Sequence, residues 1–501
     1  MLYKEDREET REKRTVLFMD DWPLHHTQGI VRKWFESEPW PDLEPFLDPS
    51  LPFFSCGYPR IYKFDDQWVM WACGSVHKED RAGDEDWRLF RYVSSDGLDW
   101  KPALSDPNDP LSHCVFTDTY STHGGHVLYD EHEKDPSRRF KYAYSNISTK
   151  PIDDSYGCCR VAVSPDGINW TIDMDAIWRP QHTDCASVIA YNPYTRKYQF
   201  ISRTIMGDRR ISIEQTKDWK TFEDPLVIVH PDPMDPPCSD FYGMPQFFYE
   251  GYFLGFLWHE HCGADDFTAG STRCGGTVSS ELTYSINGIQ WNRTNRKSFV
   301  PDRGLGKGDC LTQYPSCLTV DDEGWMRIYT EGIVGEHDGF PGVDWNEKLS
   351  WTSMTVSRWR RDGMCALETN AGPGRILTKC YVPRGGQILL NAITSRFGSI
   401  RAELRDIHNK PMPGYELEKS IPVNGDGHFM PLQWKDGDGV RDTMPVGNGK
   451  SFRIYFEMQQ ARLYAMRLNA DLNYGFVPLK TMAGEYIPHN IDGWDVEDPS
   501  K

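Results

Sequence analysis

The heptapeptide "SSDGLDW" at residues 94–100 returns as "SPDGINW" at 164–170 and as "SINGIQW" at 285–291. In each copy a strand ends, Ser and Asp or Asn turn the chain, Gly takes a left-handed conformation, and Trp anchors the next strand. Asp and Asn cap such turns through nearby backbone, and Gly accepts positive φ without a Cβ clash. S-x-D-G-x-x-W therefore reads as a hairpin with a hydrophobic anchor. Two degenerate copies extend the series, "SIEQTKDWKTF" around Asp218 and Trp219 and "SRWRRDGM" around Asp362 and Gly363. Repetition at this spacing predicts a radial array of four-stranded sheets.

The segments before the hairpins share a second plan: apolar strand, short acidic or Gly turn, aromatic strand. They are "YPRIYKFDDQWVMWACGS", "HGGHVLYDEHEKDPSRRFKYAYSN", "CASVIAYNPYTRKYQFISRT", "YGMPQFFYEGYFLGFLWHEH" and "YPSCLTVDDEGWMRIYTEG". The chain is expected to be all-β, with a five-bladed β-propeller over residues 50–372. Downstream, "GRILTKCYVPRGGQILLNAITSRFGSIRAELRD" and "KSFRIYFEMQQARLYAMRLN" alternate apolar and polar residues without a Trp hairpin. That alternation predicts a β-sandwich over residues 373–475, followed by an irregular tail over 476–501. Residues 1–49 are expected to close the ring or pack on the sandwich.

Composition agrees with many short strands: among 501 residues, 18 Trp, 42 Gly and 34 Pro supply anchors and turns. The net charge of −19 argues against nucleic acid and anionic membrane as partners, because both require a basic surface. No run of apolar residues is long enough for a membrane span. The charged opening "MLYKEDREETREKRTVLFMDD" lacks the apolar core of a signal peptide. A cytoplasmic location is expected, or a secreted one if a leader has been removed. The 13 cysteines are odd in number and scattered, without C-x-x-C, and read as buried free thiols. Sequons at Asn146 and Asn292 matter only in a secreted protein.

A propeller followed by a sandwich resembles the invertase-like and arabinanase-like glycoside hydrolases of families 32 and 43. The stretches "LFMDDWPLHHTQGIVRK" and "GRILTKCYVPRGGQILLNA … ARLYAMRL" look like those of family-32-like hydrolases. The resemblance implies glycosidic bond cleavage in a central funnel. The family-32 signatures W-M-N-D-P, R-D-P and E-C are absent, so catalytic groups must be sought by position. The hairpins also resemble the Asp boxes of sialidases, which lie on outer turns. That resemblance implies a structural role for Asp96, Asp166 and Asn287. A sialidase would add an arginine triad and, usually, a sixth blade.

In a propeller the functional groups gather before the first strand of each blade and after the second. Those ends carry Tyr58, Arg60 and His77; Asp118, His123 and His126; Asp184 and Arg203; Asp240, Tyr242, His259, Glu260 and His261; and Asp309, Gln313, Tyr314 and Glu331. Glycoside hydrolysis needs one protonated carboxyl and one carboxylate across the scissile bond. Asp184 and Asp240 are expected at the funnel mouth, with Glu260 or Glu331 opposite as proton donor. Arg203 and Tyr242 would hold substrate hydroxyls or the ionised carboxylate. His123, His126, His259, His261, Gln313 and Tyr314 would line the pocket. On a strand, His259 and His261 share one side and Glu260 takes the other. Two such imidazoles need a third ligand to hold zinc or manganese; His123 or His126 is the candidate, though sugar contact is the preferred role and no cofactor is expected. A carbohydrate substrate is the expected partner. Two alternatives remain: a carbohydrate-binding propeller without catalysis, and a His- or Tyr-assisted lyase acting on an acidic sugar.

Overall fold

The computed structural model describes residues 14–51, 54–75, 87–118, 121–152, 155–176, 188–203, 209–262, 276–301, 303, 309–337, 352–370, 372–447 and 451–473. Among them there is no α-helix, and most are β-strand. The chain divides into two compact units. One is Glu36–Arg360, and the other combines Met1–Phe35 with Arg361–Lys501.

These limits differ from the expected boundaries at 49/50 and 372/373, and strand pairing gives the reason. Glu38–Pro39 pairs with Ser357 and Arg358, and Phe46 bridges Met354, which ties residues 36–49 to the first unit. Cys365–Thr369 pairs with Ile30–Trp34, which ties residues 361–370 to the second.

Among its described residues the unit Glu36–Arg360 carries four sheets, the last of them nine-stranded; they divide into five modules, two of which share that last sheet. The first contains Phe54–Phe64, Gln67–Ser75, Trp87–Ser94 and Lys101–Pro102, with Cys114–Phe116 added beside the third strand. The second is His123–Tyr129, Phe140–Ile152, Ser155–Ser164 and Thr171–Asp173. The third is Val188–Asn192, Lys197–Arg203, Ile211–Thr216 and Leu226–Val229. The fourth runs from Ser239–Gly243 and Gln246–Tyr249 through Tyr252–Cys262 and Gly276–Ser285 to Trp291–Ser298. The fifth is Thr312–Val320, Trp325–Ile333 and Thr352–Arg360, with Glu38–Pro39 as its outer strand. A single parallel pair, Val278 with Thr312, joins the last two modules. The leading strand of the first module packs on those of the second and fifth, the second's on the third's, and the third's on the fourth's.

The repeated heptapeptides form the same turn each time. Ser94 Oγ accepts from the Gly97 N–H at 2.9 Å, and Asp96 Oδ1 accepts from the N–H groups of Leu98 and Asp99 at 2.8 and 3.0 Å. Ser164 with Asp166 and Ser285 with Asn287 repeat these bonds. Each turn also docks on another module. The Gly97 carbonyl accepts from Tyr329 Oη at 3.0 Å, the Gly167 carbonyl from Trp71 Nε1 at 2.7 Å, and the Asn287 carbonyl from Asn192 Nδ2 at 2.9 Å.

The degenerate copies depart from the expected pattern. In the third module Thr216 and Asp218 form the turn, and Trp219 itself takes the left-handed position at φ +64°. Phe222, not Trp219, stands where the other copies carry the anchoring Trp, and it packs on Phe200 at 5.3 Å. The turn at Asp362 opens no fourth strand of the fifth module: Cys365–Thr369 follows it and belongs to the other unit. Asp362 instead holds Asn391 Nδ2 at 3.0 Å and Arg467 Nη2 at 2.5 Å.

In the second unit, Cys380–Arg405 and Arg453–Asn473 pair antiparallel along most of their length. The strands Arg14–Leu17, Leu24–Gln28, Ile30–Trp34, Cys365–Thr369, Gly374–Thr378 and Asp426–Pro431 complete an eight-stranded sheet. A three-stranded sheet of Ser420–Ile421, Gln433–Asp436 and Gly439–Arg441 contributes Trp434, fully buried and donating to the Ala402 carbonyl at 2.8 Å. The segment 476–501 lies outside the described residues. Of the eleven cysteines among the described residues, six are buried and five half-buried.

Gly167 sits at φ +71°, and a Cβ there would press into the Trp71 ring. Gly167→Val is expected to destabilise the protein by about 2 kcal/mol or more, because left-handed strain adds to the clash. Asp96→Ala should cost about 1 kcal/mol, the loss of a capping acceptor. Thermal unfolding of both variants checks the order.

Candidate active site

Asp240 and Glu260 face each other across the first strand pair of the fourth module, as register partners. Asp240, Glu260 and Cys262 each offer a ligand atom, and these atoms lie within 4.8 Å of one another. Arg209, just ahead of the strand Ile211–Thr216, binds both acids. Its backbone N–H donates to Asp240 Oδ1 at 3.1 Å, and its Nη1 pairs with Glu260 Oε2. Glu260 has no solvent exposure, and its Oε1 has no hydrogen-bond partner. Burial pushes its carboxyl up to about 7, against the pull of Arg209 and Arg203 and with help from Asp240.

Glu331 is the more isolated acid. It is fully buried, opposite Tyr314 in the fifth module. The Tyr58 N–H donates to its Oε2 at 3.0 Å, while Oε1 has no partner. Burial pushes Glu331 up to about 8, and the one Tyr58 bond opposes that rise. Tyr58 makes this contact from φ +51°, a costly conformation for a bulky residue.

Aromatic rings connect the two acids. Trp258, two residues before Glu260 and so on the same strand face, stacks on Tyr58 with centroids 5.7 Å apart and meets Tyr314 at 5.1 Å. Tyr242 lies 5.4 Å from Tyr314. The guanidinium groups of Arg203 and Arg209 sit over the Tyr242 ring at 4.5 and 5.0 Å. Tyr314 Oη pairs with His337 Nδ1 at 2.7 Å. His123 meets Trp87 at 4.7 Å and Tyr58 at 6.1 Å.

Other expected residues fall elsewhere. Asp184 and His77 lie outside the described residues. Gln313 donates its amide to the Pro301 and Asp309 carbonyls, both at 3.2 Å, which is a loop-holding role. His126 is buried, with Arg60 as a charged neighbour. His259 and His261 point away from Glu260, as strand alternation requires. His259 Nδ1 pairs with Glu281 Oε1 at 2.9 Å, and His261 Nε2 with Ser279 Oγ at 2.7 Å. Burial, then His259, lowers His261 to about 4. Burial favours a protonated Glu281, but bonds from His259 and Arg293 outweigh it and hold its carboxyl below the ordinary value. Arg293 also pairs with Asp235 at 2.7 Å.

Two clusters have metal-ligand spacing among the described residues, Asp240–Glu260–Cys262 and Asp235–His259–Glu281. In each, a guanidinium already supplies the positive charge that a metal would bring, Arg209 in one and Arg293 in the other.

Arg209, Trp258 and His337 escape a reading by strand ends, although Trp258 could have been found from its i−2 relation to Glu260. Asp118 forms a further knot, with Oδ2 accepting from Tyr144 Oη at 2.6 Å, Asn146 Nδ2 at 2.8 Å and Arg160 Nη1 at 3.0 Å. A surface cavity of about 670 Å³ lies between the outer strands of the first and second modules, lined by residues 114–117, 170–172 and 174. It carries no acid or imidazole.

No family model matches the chain, and no curated protein sequence matches it. Solved structures do. One described as a glycoside hydrolase is similar at 14% identity, over 64% of this chain and 92% of its own, with a TM-score of 0.44. A glycosyl hydrolase from Bacteroides ovatus is similar at 11% identity, over 66% and 94%, with a TM-score of 0.44. The catalytic domain of the Coprinopsis cinerea GH62 alpha-L-arabinofuranosidase is similar at 13% identity, over 65% and 96%, with a TM-score of 0.41. Similarity of this degree leaves the chemistry to the side chains.

Glu331 makes a pH prediction. Its carboxyl goes from an ordinary 4.5 to about 8 on folding. The folded chain therefore keeps a proton that the unfolded chain releases between these values. The associated stability is complete below about pH 4.5 and is lost as the pH rises through 8. Glu331→Gln, which cannot ionise, should lose at least about 1 kcal/mol less than the parent between pH 5 and 9. Denaturant melts across that range measure the difference.

Proposed function

We propose that this chain is a glycoside hydrolase, able in principle to transfer as well as hydrolyse, in which the five modules are blades of a β-propeller. The second unit is read as an accompanying β-sandwich. The observation that carries the proposal is a buried acid kept protonated by its surroundings, Glu331, beside an aromatic wall that leads to the Asp240–Glu260 pair.

A glycosidic bond breaks when its leaving oxygen receives a proton while a carboxylate attacks, or activates water at, the anomeric carbon. Glu331 suits the first role: near neutral pH it retains its proton, and Oε1 is uncommitted. Asp240 suits the second, because the Arg209 N–H stabilises its ionised form. Glu260 shares Arg209 and tunes the pair. Arg203 and Tyr242 would bind sugar hydroxyls, and Tyr58, Trp258 and Tyr314 offer apolar faces for a sugar ring. Asp184 stays a candidate acid by its place in the sequence alone. His123 is retained as a pocket residue.

A second reading, a carbohydrate-binding propeller without catalysis, draws support from the complete burial of Glu260 and Glu331. Turnover separates the two. The full chain should be screened against chromogenic furanosides and pyranosides, with and without EDTA. Asp240→Asn is expected to lower kcat by several orders of magnitude. Glu331→Gln should lower it by about 10²–10⁴, less with good leaving groups. Undiminished activity in both variants rejects the assignment, and calorimetric glycan binding without turnover favours the second reading.

A further inference from the structure

We propose that the surface cavity between the first and second modules is a second, non-catalytic binding site, which takes an uncharged glycan. None of the acids assigned above lines it. Its volume of about 670 Å³ falls within the ~300–1,000 Å³ of small-ligand sites. Its walls include two outer strands, Cys114–Phe116 of the first module and Thr171–Asp173 of the second. Consecutive residues line it on both sides, 114–117 and 170–172. Side chains on a strand alternate between its faces. A cavity that touches consecutive residues therefore borders the strand edge, where main-chain N–H and C=O groups are offered.

The lining fixes the class of ligand. Phe116 and Trp170 place two aromatic rings 6.3 Å apart, tilted by 50°, and Ile172 and Met174 extend this apolar surface. Trp170 and Ile172 pack on the core of the unit, so most of the surface is set before a ligand arrives. Met174 is 68% exposed, which leaves an apolar side chain at the rim for a ligand to cover. Thr117 and Thr171 are exposed and add hydroxyl groups. No lining residue carries a formal charge, in a chain where 26% of residues do. A charged ligand would find no counter-charge here. A purely apolar one would leave the hydroxyls and strand edges unmatched. A neutral sugar has an apolar C–H face for the aromatic rings and hydroxyls around its rim for the polar groups. The choice of a sugar over an extended peptide rests on the glycoside hydrolase reading. A glycan held at this second place would raise its own concentration at the acids.

The test uses native gels of the full-length Asp240→Asn chain, in which cutting is suppressed. The gels are cast with arabinan, galactan, xylan or β-glucan, or with polygalacturonate as the acidic comparison. At least one neutral polymer should retard the protein, and polygalacturonate should not. Met174→Asp in the same background changes an exposed side chain and leaves the core intact. It should weaken retardation about tenfold or more, because a carboxylate is set against the apolar face. Crystals soaked with the tetrasaccharide of the retarding polymer should show a sugar ring against Phe116 and Trp170. Four results overturn the proposal: no retardation by any neutral polymer, equal retardation by polygalacturonate, undiminished retardation of Met174→Asp, or a cavity filled by a strand of a neighbouring molecule. The chromogenic screen of the parent reads catalysis separately. Turnover without retardation rejects this site alone, whereas retardation that Met174→Asp removes, without turnover, keeps the site and rejects the hydrolase.

Discussion

A β-sheet of four short strands buries neither face alone, so each module of Glu36–Arg360 needs its neighbours. The contact that organises this is a backbone carbonyl at the tip of a turn, seated on a polar or aromatic side chain of another module. Tyr329 holds Gly97, Trp71 holds Gly167, and Asn192 holds the carbonyl beside Gly288. A Cβ on Gly97 or Gly167 would collide with what lies beneath it, and one on Gly288 would press on Gln199 and Asn192. Ser and Asp arm the turn, Gly lets it approach, and the neighbour's donor locks it. The repeat therefore specifies how modules are spaced, and the chemistry is left to other residues.

The same packing makes the candidate site. Packing between sheets keeps water from the acids on the second strands of the fourth and fifth modules, and desolvation acts on whatever charge remains there. Glu260 and Glu331 occupy comparable places in adjacent modules yet have different companions. Glu260 has two arginines nearby, and Glu331 has one amide. Acids whose environments differ in this way can divide proton donation and charge stabilisation between them.

The turns were legible because their chemistry lies within seven residues. Side-chain alternation likewise separated His259 and His261 from Glu260. The third module was harder, since Thr216 replaces Ser, Trp219 takes the glycine position, and the anchor becomes Phe222. The sequence around Asp362 looks like another turn of the series, but where its following strand goes depends on Ile30–Trp34, more than three hundred residues earlier. Arg209 reaches both acids from a loop that local pattern does not mark. Glu331 owes its isolation to the Tyr58 amide, a backbone group of another module. Such relations live in tertiary packing and leave no periodic trace.

The pairing of Ile30–Trp34 with Cys365–Thr369, and of Leu24–Gln28 with Gly374–Thr378, has a consequence for how the molecule is made. One unit interrupts the other in the chain. A ribosome releases the first strands of the interrupted sheet and then all of residues 36–360 before their partners emerge. At about 5–20 residues per second this leaves those strands unpaired for tens of seconds. In that interval the inserted unit can fold and draw its two ends together, through Glu38–Pro39 on Ser357 and Arg358. A long, entropically costly closure then becomes a short one. The interrupted sheet is thus set to assemble last, after the insert has drawn its own ends together.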